Sequence, residues 1–118
     1  MQPLNVRLVT CAPRSGHENM AIDEYLHLWH VRTRRPFLRI YGWSPPSITL
    51  GRYQPASCLD IGACRDNGIA IVRRMTGGGA IYHDREVTYS LACGDKDIDG
   101  RPLSVLESFE TMNRIIIR

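Results

Sequence analysis

Three consecutive glycines, Gly77-Gly78-Gly79, follow two arginines and separate two β-rich runs, and no other segment of the 118-residue chain constrains the fold as tightly. Residues 69–72 read as a strand that leads straight into Arg73-Arg74, and Ala80, Ile81 and Tyr82 are strand-like again, so the glycines turn the chain between strands. Glycine reaches positive φ and lets backbone approach closely, and successive N–H groups in such a turn form a concave nest for an anion. Arg74 adds a guanidinium able to make a forked contact, and Thr76 adds a hydroxyl. Phosphate or carboxylate suits this chemistry; the alternative is a glycine-rich hairpin loop with no ligand. A Walker A loop is excluded because no lysine follows the glycines, and a dinucleotide loop because a strand, not a helix, follows Gly79.

The remaining elements read as α+β. Residues 6–10 alternate as a first strand. Ser15 with Glu18 three residues on forms a capping-box pattern that opens a helix over residues 17–31, with Ile22, Tyr25, Leu26 and Trp29 on one face. Residues 37–41 and 47–50 are strand-like, joined by Gly42-Trp43-Ser44-Pro45-Pro46 as a hairpin or as a strand with a loop. A short helix over residues 59–66 stops at Asn67-Gly68. Residues 80–82 and 87–92 are expected to pair as a hairpin through residues 83–86. Residues 94–101 form a polar loop. Ser104 and Glu107 open a last helix carrying Val105, Phe109, Met112 and Ile116 at helical spacing, an amphipathic surface in search of a partner. The chain ends inside that apolar pattern without a stop signal, so a natural domain is expected to continue.

Composition narrows the function classes. The formal charge of +3 is mild, and the 14 arginines are scattered, the densest cluster being the connector at Arg32, Arg34 and Arg35; nucleic acid is not an expected partner. No apolar run approaches the roughly 20 residues that span a bilayer, and the N-terminus lacks a signal peptide's regions, so the expected compartment is cytoplasmic and no membrane is involved. Cys11, Cys58, Cys64 and Cys93 show no paired metal spacing and read as reduced thiols. His27 and His30 with Asp23 fall near one helix face without a fourth ligand, so no metal site is expected.

The segment Arg73-Arg74-Met75-Thr76-Gly77-Gly78-Gly79-Ala80-Ile81-Tyr82-His83-Asp84 resembles the R-R-x-[ST]-G-G-G-A-[VI]-[FY]-H-D signature of lipoate-protein ligases, which share the biotin/lipoate ligase and transferase superfamily with octanoyltransferases. Asn19-Met20-Ala21-Ile22-Asp23-Glu24 is similar to the family's N-M-A-x-D-E, and Leu38-Arg39-Ile40-Tyr41-Gly42-Trp43 followed by Ser47-Ile48-Thr49-Leu50-Gly51-Arg52-Tyr53-Gln54 to its strand-loop-strand ending in G-x-x-Q. The resemblance spans residues 19–93. It implies a largely antiparallel mixed sheet with flanking helices, residues 1–118 being the N-terminal part of one catalytic domain truncated at its C-terminus. It implies further that Arg74, Thr76, Gly77, Gly78 and Gly79 line the nucleotide or acyl-phosphate side, that Ala80, Ile81 and Tyr82 form the adjacent wall, and that His83 closes the pocket. Trp43, Ile48 and Leu50 are candidates both for an apolar acyl tunnel and for the core, and Asn19, Asp23 and Glu24 both for the pocket and for the helix surface.

Two chemistries share this cradle. The resemblance to the ligase implies activation of lipoate or octanoate with ATP and magnesium, then transfer to a lysine of a lipoyl carrier domain of the 2-oxoacid dehydrogenase E2 or glycine cleavage H protein type. The resemblance to the transferase implies octanoate taken from acyl carrier protein through an acyl-cysteine. Gly79 favours the ligase, since transferases carry arginine there; Glu86-Val87-Thr88-Tyr89-Ser90 resembles the transferase branch. The ligase is taken first, because Gly79 lies in the cradle and Glu86 is expected at its edge. Both branches use a lysine on a later strand, which the sole lysine, Lys96, does not match, and the transferase cysteine also belongs downstream of Cys93. No catalytic residue is therefore expected within the chain, which alone is expected to be silent. A non-catalytic binding fragment or split subunit is the further alternative; a biotin ligase lacks its G-R-G-R-x-G loop here.

Overall fold

The computed structural model describes residues 3–117. Met1 and Gln2, on which the expectation of no signal peptide partly rests, and Arg118, on which the expectation of a continuing domain rests, lie outside the described residues. The elements run β1 (Arg7–Thr10), α1 (Gly16–Thr33), β2 (Phe37–Tyr41), β3 (Ser47–Leu50), α2 (Ile61–Asp66), β4 (Ala70–Arg73), β5 (Ile81–His83), β6 (Thr88–Ala92) and α3 (Val105–Ile117), with a 3₁₀ turn at Ala56–Cys58 before α2. The class is α+β, and the strands divide into two three-stranded mixed sheets, ordered β1-β2-β6 and β4-β3-β5. β2 pairs parallel with β1 and antiparallel with β6, where Phe37 faces Ala92 and Tyr41 faces Thr88. β3 pairs parallel with β4 and antiparallel with β5, where Ser47 faces His83.

The expected hairpin between residues 80–82 and 87–92 does not form, because β5 and β6 belong to different sheets. His83 ends β5 with its ring buried against Trp43, so the chain turns inward there and crosses to the other sheet before Thr88 joins β2. Residues 37–41 and 47–50 likewise cross between sheets instead of pairing. Pro45 and Pro46 have no N–H to offer a ladder, and Asn19 fixes the crossing by donating from Nδ2 to the Gly42 carbonyl at 3.0 Å and the Arg14 carbonyl at 3.1 Å.

α1 begins where Ser15, in extended conformation, accepts the Glu18 N–H on its hydroxyl at 3.2 Å, a cap worth about 1 kcal/mol. The Glu18 carboxylate does not complete the box; it meets Arg14 Nη1 at 3.4 Å. The helix ends at Arg34, whose left-handed φ of 59° turns its N–H back to the His30 carbonyl. Its inner face differs from the expected one: Gly16, Asn19 and His30 are buried and Asp23 and Leu26 half-buried, whereas Tyr25 and Trp29 are exposed and stack on each other outside. The reason lies in β2, whose inward residues are Phe37, Arg39 and Tyr41. A buried guanidinium requires acceptors opposite it, so the helix presents Asn19 and Asp23 to Arg39, with Ile22 and Leu26 only half-buried beside them. Gly16 is required by close approach, since a Cβ there would lie 2.7 Å from Ser47 Oγ and 3.2 Å from Val72.

α2 starts two residues later than expected, where the Asp60 carboxylate accepts the Ala63 N–H at 2.9 Å, and stops at Gly68 with φ 68°. α3 carries the complete capping box: Glu107 N–H donates to Ser104 Oγ at 3.2 Å, and Ser104 N–H to Glu107 Oε2 at 2.8 Å. None of its described residues is buried, and Val105, Leu106, Phe109, Ile115, Ile116 and Ile117 are exposed. No helix among the described residues is long and apolar enough to cross a membrane.

Candidate functional site

The two arginines before the glycine turn are committed to backbone carbonyls. Arg73 Nη1 donates to the carbonyls of Gly51 at 2.8 Å and Gln54 at 2.6 Å, tying the end of β4 to the loop after β3. Arg74 Nη2 donates to the carbonyls of Gly77 at 2.8 Å and Gly79 at 3.0 Å, while its Nη1 reaches the Thr49 hydroxyl at 2.7 Å. Burial pulls the Arg74 pKa below the ordinary guanidinium value. A trans peptide sets each carbonyl opposite the following N–H, so gripping the Gly77 and Gly79 carbonyls turns the Gly78 and Ala80 N–H groups away from the guanidinium. Gly78 needs its φ of 100°, and Gly51 is held to glycine because a Cβ there would overlap the Gly78 carbonyl. Gly77 and Gly79 face open space: a Cβ at either meets nothing within 4 Å.

Beyond the loop lies a cleft of about 960 Å³, bounded by α1, β6, α3 and the start of the glycine loop. Its floor is a stack of Trp43 on His83, centroids 3.9 Å apart and planes 14° from parallel. Both rings are held from behind. His83 Nε2 meets Thr49 Oγ1 at 2.9 Å and Nδ1 meets Glu86 Oε1 at 2.8 Å. Trp43 Nε1 donates to Thr88 Oγ1 at 2.7 Å, and Thr88 donates in turn to Glu86 Oε2. One carboxylate thus orients both rings, and Glu86 belongs to the support of the floor rather than to an edge.

A second network lies along α1. Arg39, with no exposed surface, donates from Nη1 to Asp23 Oδ1 at 2.9 Å and to the Asn19 carbonyl, and from Nη2 to Asn19 Oδ1 at 2.7 Å. Asp23 also accepts from Tyr41 OH and Ser90 Oγ, each at 2.8 Å. The guanidinium carbon sits 3.7 Å over the Tyr41 ring, and the buried Nε makes no hydrogen bond. Burial first, then the Asp23 charge, push the Tyr41 phenol far above its ordinary pKa, so it remains a donor.

Of the residues expected in the site, Arg74, Thr76, Ile81 and His83 line the cleft together with Asp23, Glu24 and Trp43. Gly77, Gly78, Gly79 and Ala80 form an exposed rim, and Tyr82 is exposed outside the lining. Ile48 and Leu50 also lie outside it; they belong to β3, the central strand of the second sheet, and Leu50 is core. Lys96 is exposed and away from the cleft. Cys93 lines it, but burial and then the charge of Asp97 raise its thiol pKa, which opposes nucleophilic use. His30 is turned to the Arg35 carbonyl at 2.8 Å, and no group of three His, Cys, Asp or Glu among the described residues is placed to hold a metal ion. Sequence reasoning missed Arg39, Tyr41, Thr49 and Thr88. An arginine and two threonines inside strand patterns were the available signal, because polar residues at inward positions require partners.

A three-glycine turn held by arginine thus stands beside a mostly apolar cleft on two mixed sheets, and comparison with known proteins gives the family. Residues 15–118 match the lipoyl protein ligase A/B catalytic domain, and the chain belongs to that family. It is 40% identical over 114 residues to octanoyltransferase LipM of Kyrpidia tusciae, an alignment covering 95% of this chain and 41% of that protein. A crystal structure of lipoate-protein ligase A bound with ATP superposes with TM-score 0.81 at 28% identity, over 96% of this chain and 44% of that one. A bi-partite lipoate protein ligase from Thermoplasma acidophilum, described with its E2 lipoyl domain, gives TM-score 0.79 at 28% identity, over 98% and 44%. The chain therefore spans about two fifths of the length of relatives such as the Kyrpidia protein.

Proposed function

We propose that residues 3–117 form the acyl-cradling N-terminal part of an octanoyltransferase, in which the apolar cleft takes the acyl chain and the glycine rim takes the polar end of the activated group. The observation that carries this reading is Glu86. It lies in the segment that resembles the transferase branch, and its carboxylate orients both rings of the cleft floor. The 40% identity to an octanoyltransferase supports the same branch. Gly79, which favoured the ligase, weighs less once its surroundings are known, because the position has room for a side chain. In this reading Arg74 organises the loop, the Gly78 and Ala80 N–H groups offer donors to developing negative charge, and His83 and Trp43 set the depth of the acyl pocket. The lysine and cysteine that complete the reaction come from outside the 118 residues, and the carrier domain and acyl carrier protein are the partners.

The second reading is the ATP-dependent ligase, favoured by the likeness to a ligase crystallised with ATP. It brings magnesium with the nucleotide phosphates; the donor groups described offer no three-ligand set for it, and no step is assigned to it. Intact-mass measurement of an apo lipoyl domain incubated with the full-length protein separates the two. Octanoylation from octanoyl-acyl carrier protein without ATP supports the transferase. Modification that occurs only with free acid and ATP overturns it in favour of the ligase.

A further inference from the structure

The geometry points to Thr49 as a positioning residue that transmits the state of the glycine rim to the cleft floor. Thr49 is completely buried on β3 and lies outside the cleft lining, so it acts only through its neighbours. Its hydroxyl oxygen lies 2.7 Å from Arg74 Nη1 and 2.9 Å from His83 Nε2. A guanidinium has only donors, so the hydroxyl accepts there; in the neutral ring the Glu86 carboxylate, an acceptor only, holds the ring proton on Nδ1 and leaves Nε2 to accept the Thr49 proton. His83 Nε2 is then an acceptor and Nδ1 carries the ring proton, directed at Glu86 Oε1 at 2.8 Å. Donors and acceptors match at every step from Arg74 through Thr49 and His83 to Glu86. A hydroxyl that accepts from a cation becomes a stronger donor, so the His83 bond depends on where Arg74 sits. Arg74 in turn is held by the Gly77 and Gly79 carbonyls at Nη2 and by the Thr49 carbonyl, 3.2 Å from Nη1, so it links rim to strand. Movement of the rim upon an arriving anion is therefore felt at the ring on which Trp43 stacks.

The consequence for acyl transfer rests on the octanoyltransferase reading; the coupling itself does not, and the test keeps them apart. In the full-length protein labelled with ¹⁵N-histidine, the His83 Nε2 resonance is expected at the position of a hydrogen-bonded acceptor and to move in Arg74→Lys. Valine fills the space of threonine without the hydroxyl, so in Thr49→Val the resonance is expected to shift to that of a free acceptor and to become insensitive to Arg74→Lys. Thr49→Ser is expected to restore the wild-type position and the sensitivity. Acyl transfer is expected to fall about tenfold in Thr49→Val, as for loss of one hydrogen bond to a charged partner, and to recover in Thr49→Ser. An unmoved resonance in Thr49→Val, or an equal response to Arg74→Lys with and without the hydroxyl, overturns the coupling. If Thr49→Val does not fold, an Nε2 resonance unmoved by Arg74→Lys in the wild-type background overturns it alone. Resonances that behave as stated in a protein that transfers no octanoate uphold the coupling and refute the transferase reading.

Discussion

Replacing Asp23 with alanine removes, among the described residues, the one carboxylate bonded to the buried Arg39 and the shared acceptor of Tyr41 and Ser90. Stranding one partner of a buried ion pair costs about 3–5 kcal/mol, and hydrogen bonds to a charged acceptor are worth about 1.5–3 kcal/mol each. These contributions do not add, because all three donors share one carboxylate and its side chain is 12% exposed at the cleft, where water can replace part of what is lost. The expected loss is about 4 kcal/mol, a large share of the roughly 5–15 kcal/mol that stabilises a domain of this size. Urea unfolding followed by tryptophan fluorescence and far-ultraviolet circular dichroism measures it, with an unchanged slope required for a simple stability change. Asp23→Asn keeps one neutral acceptor and is expected to lose about half as much. The paired change Asp23→Leu with Arg39→Met removes the charge with its partner and is expected to be milder than either single change. A loss under about 1 kcal/mol in Asp23→Ala, or a double variant no more stable than the singles, would refute the dependence of Arg39 on Asp23.

Gly51→Ala is expected to displace the rim or cost about 1–3 kcal/mol, because its Cβ meets the Gly78 carbonyl, whereas Gly79→Ala is expected to stay within about 0.5 kcal/mol; thermal unfolding of both checks the contrast. Glu107 is held down from 4.5 to about 2, first by its bond to Arg101 and then by the Ser104 N–H and hydroxyl. Its folded pKa lies below the unfolded value, so its contribution is present above pH 4.5 and fades as pH falls toward 2, and the start of α3 is expected to fray in that window. A side-chain carboxyl resonance titrating near 4.5 contradicts this. Cys93, raised above its ordinary 9.0, is expected to react slowly with iodoacetamide at neutral pH, and Asp97→Asn to quicken it modestly; peptide mapping by mass spectrometry reads both.

Local elements were legible because their signals are local. Ser15, Ser104 with Glu107, and Gly68 mark helix ends by bonds within a few residues, and each does so in the structure, whereas the Asp60 cap of α2 was not read. Strand pairing was not, since β5 and β6 lie close in sequence yet join different sheets through the burial of His83, a long-range event. The inner face of α1 was misread for a related reason. Hydrophobic periodicity looks for an apolar stripe, and the partner of this helix is a buried arginine whose position on β2 only the fold reveals. Of the expected site residues, Arg74, Thr76, Ile81 and His83 come together at one cleft, and the terminal nitrogens of Arg74, read from the sequence as available to an anion, are turned to Thr49 and the Gly77 carbonyl. Thr49 and Thr88 stood inside segments that resemble the family but had no role assigned; their roles come from standing opposite a ring nitrogen and an indole across the two sheets.

The unequal freedom of the glycines has an evolutionary corollary. Gly78 is fixed by its φ of 100° and Gly51 by the carbonyl above it, whereas Gly79 borders empty space. A codon change there adds a side chain, even a cation, to the rim while every hydrogen bond beneath it stays in place. Single substitutions at position 79 can therefore alter what the rim presents without the scaffold registering them as damage.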